Sequence, residues 1–186
     1  MIDLAKAPGA GERWDAPAWK VYAWGAAELL FVSNPWQIST RLRRAVLRAF
    51  GAEIGEGVLL RPRLRVRTPW KLVIGDRSWI GEDVWLHNQD RLTIGSDVVI
   101  SQGTFITTGS HAHRRDMALI TRPIVIEDGA WITARCIVLG GSHIGVSTLV
   151  QPGTVVNGAI PDATVFGQPT GTALGPRFPS PAVDPS

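Results

Sequence analysis

The chain has 186 residues, enough for one domain with a buried core. Its charged fraction of 19% is below the roughly 25% of an average globular protein, and its 20 glycines lie too irregularly for a collagen repeat. The net charge of +3 hides an asymmetry: residues 1–71 hold twelve Lys/Arg and six Asp/Glu (+6), residues 72–186 hold seven and ten (−3). A single cysteine, Cys136, excludes an internal disulfide and a zinc knuckle. Residues 1–12 carry no signal-peptide core and no apolar run reaches 18 residues, so a cytoplasmic chain without a membrane span is expected.

Residues 18–50 read as two helices. Trp19, Tyr22, Ala23, Ala26, Ala27, Leu30 and Phe31 recur at helical spacing and form an apolar stripe that Asn34-Pro35 ends. The second helix runs from about Pro35 to Phe50, with Leu42, Val46 and Leu47 expected inward, Arg41, Arg44 and Arg48 outward, and Gly51 as C-cap. Residues 1–51 are therefore expected to cap the open end of the repeat that follows, where a bare coil would invite strand addition. The Arg41–Arg48 cluster and a second one (Arg61, Arg63, Arg65, Arg67) suit a solvated face, and with eight tryptophans they also suit peripheral contact with a membrane. No recognition helix or base-stacking platform accompanies them, so nucleic acid is not expected as a partner.

From residue 52 a period of six governs the chain. Aliphatic residues recur at Ile74, Ile80, Leu86, then Ile94, Ile100, Ile106, then Ile126, Ile132, Val138, Ile144, Val150, Val156. Four positions after most of them sits a small or β-branched residue, among them Ser78, Val98, Thr104, Ala130, Cys136 and Thr148. Glycine often follows the aliphatic, as at Gly75, Gly81, Gly95 and Gly145, and is read as easing the turn's dihedrals. Helices need apolar spacings of three and four, which this region lacks. Three hexads make one triangular coil, so the expectation is an all-β solenoid, a parallel β-helix over residues 52–169. The phase slips twice, with a step of eight from Leu86 to Ile94 and of twenty from Ile106 to Ile126. The segment 107–122 (TTGSHAHRRDMALITR) fits no hexad, and a loop of this kind on a rigid scaffold is where chemistry is expected. Residues 170–186 are Pro-rich with little apolar content and read as a disordered tail.

The hexads resemble those of the left-handed β-helix acyltransferases. GAEIGEGV (51–58), WKLVIGDRSWIG (70–81), LTIGSDVVISQGTFITTGSH (92–111) and PIVIEDGAWI (123–132) are more narrowly similar to acetyltransferases of colanic-acid and other exopolysaccharide clusters. Maltose, galactoside and nodulation sugar O-acetyltransferases are more distant relatives. The resemblance covers roughly residues 18–169. It implies a homotrimer, acetyl-CoA as donor, and a sugar or lipid-linked oligosaccharide as acceptor.

It also assigns residues. His111, after Thr-Gly-Ser, matches the family's catalytic histidine, and an imidazole suits removal of a hydroxyl proton at neutral pH. His113, His87 and Asn88 are candidates for the acceptor pocket. Asp116 could orient a histidine or cap a turn, and His143 is read as structural, at a hexad corner. For the donor, the resemblance points to Trp131 and an oxyanion-binding amide near Ala134; Asn157 stands where the family commonly has threonine and is kept as a donor candidate, and Arg135 and Arg177 are candidates for replacement cations. Replacement is needed because the family's cations fall at Gly158 and Gly171 here. Gly81 replaces an asparagine that contacts the acceptor in the maltose and galactoside enzymes. The zinc-dependent carbonic anhydrases share the fold but need three histidines, two of them five residues apart, and His87, His111, His113 and His143 do not match; no metal is expected. A non-catalytic scaffold or sugar-binding subunit that has lost coenzyme A is the competing expectation.

Overall fold

An aliphatic side chain at every sixth residue can point to a common axis only if the chain turns by a third of a circle after each short strand. The computed structural model, which describes residues 2–8 and 15–168, has that winding. One face stacks the strands Glu53–Ile54, Leu72–Ile74, Leu92–Ile94, Ile124–Ile126, His143–Ile144 and Ala159–Ile160. A second stacks Leu59–Leu60, Trp79–Ile80, Val99–Ile100, Trp131–Ile132, Leu149–Val150 and Val165–Phe166. The third holds Arg65–Val66, Trp85–His87, Phe105–Thr107, Ile137–Leu139 and Val155–Val156. Pairing within each face is parallel and superposes core residue on core residue, as in Ile54, Ile74, Ile94, Ile126, Ile144 and Ile160. These form one continuous buried column with the corner residues, Cys136 among them.

The glycine rule in the repeat has a different cause from the one expected. Left-handed φ values fall two positions beyond the glycine, as at Arg77 (58°) and Asp97 (57°), while Gly75, Gly95 and Gly145 are not left-handed. What forbids a side chain there is the next coil. A Cβ on Gly75 would sit 2.5 Å from Ser96 N, and on Gly95 or Gly145 it would overlap Oδ1 of Asp128 or Asp162. Those carboxylates accept from Ser96 N at 2.7 Å and Val146 N at 2.8 Å, one coil below. Glycine is therefore needed for close approach of backbones rather than for its dihedral freedom.

A further coil, with Ile54, Leu60 and Val66 inward, precedes the hexads recognised in sequence. Its outward positions carry Arg61, Arg63, Arg65 and Arg67, so this cluster is the outward side of an in-out alternation that runs through the corner into the strand Arg65–Val66. Arg63 pairs with Asp83 on the coil above (2.8 Å), and Arg65 stacks over the Trp85 ring at 4.2 Å. The extra coil also shows that the irregular steps share one location. The step from third face to first face is eight (Val66 to Ile74), eight, twenty, six and finally four residues, whereas every step at the other two corners is six.

Helix α1 (Ala18–Ala27) runs into a π-helical turn (Glu28–Val32), and α2 (Thr40–Ala49) starts after a turn rather than at Pro35, with Ser39 Oγ accepting from Leu42 N. The two lie against the first coil, but α1 is rotated relative to expectation. Trp24 and Val32 are the buried residues; Trp19 (70% exposed), Tyr22 (81%) and Leu30 (55%), which define the apolar stripe, face outward. In α2 the inward residues are Leu47 and Arg43, and Leu42 is exposed. Polar contacts set this orientation. Trp24 Nε1 donates to Val66 O at 2.9 Å, and a Glu28 oxygen accepts from Val66 N at 2.6 Å. Arg43, fully buried, donates to Val32 O (3.1 Å), Leu60 O (3.3 Å) and Gln37 O. Among the described residues no helix is long and apolar enough to cross a membrane.

Burial raises the Glu28 pKa, against the opposing pull of the Val66 N–H and of Arg65 and Arg67. A carboxyl raised on folding favours the native state most below its unfolded value, about 4.3, and that contribution is lost as pH climbs through the folded value. Glu28→Gln keeps an oxygen for Val66 N without the charge. It is therefore expected to match wild type in thermal melts near pH 4 and to melt at the same or higher temperature at pH 7. A variant that is less stable at pH 7 than at pH 4, relative to wild type, would refute this.

Candidate active site

The corner that absorbs all the irregular steps carries the site. After Thr107 the chain leaves the third face, and it rejoins the solenoid at Ile124. Within the excursion Gly109–His111 pairs antiparallel with Leu119–Thr121, placing His111 opposite Leu119. The hairpin is anchored at its base: buried Thr108 accepts from Asp90 N through Oγ1 (2.8 Å) and from Arg122 N through its carbonyl (2.9 Å). On the coil above runs Gly140, where a Cβ would come within 2.6 Å of Thr108 O. At the tip Ala112 O accepts N–H bonds from Arg115, Asp116 and Met117, and Met117 is left-handed at φ 60°. Asp116 caps this turn by accepting from Ala118 N at 3.0 Å, which lowers its pKa, with Arg115 beside it adding to the shift.

The turn presents the Met117 carbonyl to His111, whose Nδ1 lies 2.9 Å from that oxygen. A carbonyl only accepts, so in the neutral ring Nδ1 carries the proton and the lone pair resides on Nε2. His111 is exposed and lines a cleft of about 440 Å³ together with His113, Arg114, Arg122, Gly140 and Asn157. That volume lies in the range of small-molecule sites. The arrangement supplies one base of fixed tautomer in a wall rich in positive charge.

The other candidates are dispersed. His87 is half-buried on the second coil, its Nδ1 3.2 Å from Thr107 Oγ1, and burial together with Arg67 lowers its pKa. It stands below the excursion and does not line the cleft. Asn88, expected at the acceptor, is fully buried, and its amide bonds Thr68 N and O on the coil below. His143 is exposed on a strand of the first face, not at a corner, and pairs with Glu127 at 2.8 Å. Trp131 (46% exposed) projects from the second face with Nε1 donating to Ser101 Oγ at 3.0 Å. Ala134 and Arg135 turn the corner between second and third faces, Arg135 in the left-handed region. Of the donor candidates among the described residues, only Asn157 shares the cleft with His111. Expectations for residues 9–14 and 169–186, Gly171 and Arg177 included, fall outside the described residues. Among the described residues no three His, Cys, Asp or Glu side chains converge as a metal site would require. Sequence reasoning did not single out Arg114, Arg122 or Gly140; their signal was membership of, or contact with, the twenty-residue step.

No family model matches the chain. Over 68 residues it is 41% identical to WcaF of Escherichia coli K12, whose name assigns it provisionally to colanic acid biosynthesis as an acetyltransferase; the match spans 37% of each protein. A hexapeptide-repeat acetyltransferase of Vibrio cholerae, solved in complex with acetyl coenzyme A, superposes with a TM-score of 0.74 at 27% identity, over 90% of this chain and 94% of that one. A maltose O-acetyltransferase of Clostridium difficile gives 0.67 at 22% identity, over 90% and 93%, and shares the fold. In its repeat, its solenoid and these likenesses, the chain is similar to the hexapeptide-repeat acetyltransferases.

Proposed function

We propose that the chain transfers an acetyl group from acetyl-CoA to a hydroxyl of a sugar or exopolysaccharide precursor, in the cytoplasm, by direct attack. The observation that carries this reading is the imidazole of His111, tautomerically fixed by the Met117 carbonyl and set in the cleft wall. Nε2 takes the hydroxyl proton as the oxygen attacks the thioester carbonyl; backbone amides steady the oxyanion, and collapse expels the coenzyme A thiolate. Likeness to the acetyl-CoA complex from Vibrio cholerae supports the donor, and the WcaF match supports the exopolysaccharide link.

Trp131, Ala134 and Arg135 stand apart from the cleft within one chain, so a shared site needs a second subunit to bring the donor to His111. An outward ladder on the second face (Leu59, Trp79, Val99, Trp131, Leu149, Val165) offers apolar surface for a homotrimer. The test is calorimetric titration of wild type and His111→Asn with acetyl-CoA. Micromolar binding by both is expected, because the base acts on the acceptor. Absence of binding up to millimolar donor would overturn the reading in favour of a scaffold without coenzyme A.

A further inference from the structure

The stripe that sequence analysis expected to pack inward is bare. Trp19, Tyr22, Leu29 and Leu30 lie on the side of α1 and its π-helical continuation opposite Trp24 and Val32, at exposures of 70, 81, 69 and 55%. The turn that follows adds Trp36 (90%) and Ile38 (83%), and it is fastened to the same helix end by Gln37 Nε2 donating to Phe31 O at 2.7 Å. This apolar surface belongs to a rigid unit, because Arg43 ties Val32, Gln37 and Leu60 together from beneath.

The helices that carry it have an excess of cations, and the exposed Asp15 just before them is held by Lys71 at 2.5 Å. Between residues 16 and 52 the sequence has five Lys/Arg and one acid, Glu28, and that carboxylate is turned to the Val66 N–H. Arg41 is exposed, Arg44 is half-exposed, and neither has a carboxylate within ion-pair distance among the described residues. Exposed Trp and Tyr next to aliphatic side chains, on helices with an excess of arginine and lysine, is the composition that enters the headgroup layer of an anionic bilayer. A second copy fits less well, since self-association would face these cations with their own kind.

We infer that the outer side of the N-terminal helices docks the protein on an anionic lipid surface. Here α1 lies in the interface with its aromatic residues at headgroup depth, and Arg41 and Arg44 meet lipid phosphates. The inference does not depend on acetyl transfer.

The test is co-sedimentation of the full chain with phosphatidylcholine vesicles, with and without 30% phosphatidylglycerol, at low and at 0.5 M salt, beside light-scattering mass. Preferential pelleting with the anionic vesicles, weakened by salt, is expected. Arg41→Glu with Arg44→Glu should lower partitioning by about tenfold or more, and Trp36→Ser with Ile38→Ser should lower it at both salt levels. Unchanged melting temperature and acetyl-CoA titration in these variants would show that the fold persists. Two results would overturn the inference. One is wild type remaining in the supernatant with anionic vesicles. The other is an assembly mass that falls in Trp36→Ser/Ile38→Ser while vesicle binding does not, which would make the surface a contact between copies.

Discussion

Replacing His111 by asparagine is expected to lower the acetyl transfer rate by about 10²–10⁴-fold, the usual contribution of a positioned general base. Asparagine is the informative choice because its amide N–H can still reach the Met117 carbonyl that the imidazole now uses. The hairpin should keep its shape, while the lone pair that Nε2 would offer to a hydroxyl is gone. A steady-state assay with a sugar acceptor checks the prediction, with acetyl-CoA affinity as the control. A variant retaining a third of the wild-type rate would remove His111 from the mechanism, whatever its effect on the loop.

The second large effect falls on stability. Arg43 is a fully buried cation whose guanidinium bonds three carbonyls, on the end of the first helix, on the turn and on the first coil. Burial pulls its pKa down, and no carboxylate lies within ion-pair distance among the described residues. Arg43→Met removes the desolvated charge but leaves buried carbonyls without donors, at about 1–3 kcal/mol each where water cannot enter. A net loss of about 3 kcal/mol is expected, which for a chain of this size lowers the melting temperature by about 6–12 °C. Thermal denaturation checks it. Arg43→Lys, with one compact donor in place of a fork, should recover only part of the loss. A methionine variant melting within a degree of wild type would show that the cap does not depend on this residue.

The solenoid was legible because its signal is periodic. One aliphatic residue per hexad and a small residue four positions later are requirements of the axis and the corner, and any sequence meeting them prints them visibly. The first coil fell within the expected solenoid from residue 52, but its inward positions Leu60, Leu64 and Val66 went unnamed because the arginines between them draw attention away. The excursion with His111 was legible as a break in the period, although the role of Met117 was not, since a backbone carbonyl leaves no trace in residue type. Asn88 was misplaced because a polar residue at a phase slip looks like a loop residue; its amide instead satisfies the backbone of Thr68 one coil away. The helical stripe failed for a deeper reason. Periodicity says that one side of α1 is apolar but not that this chain covers it, and the side turned inward was chosen by Trp24, Glu28 and Arg43 through hydrogen bonds that no periodic pattern encodes.

Because all the variation in step length lies at one of three corners, the molecule behaves as a spool with a single seam. Segments of four, six, eight or twenty residues span that seam, and the strands on either side still stack in register. Residues can thus be gained or lost along one edge while the column of isoleucines that holds the protein together stays as it is. A lineage using this scaffold can alter what its cleft admits by insertion and deletion, the coarsest of genetic changes, without first finding compensating changes in the core.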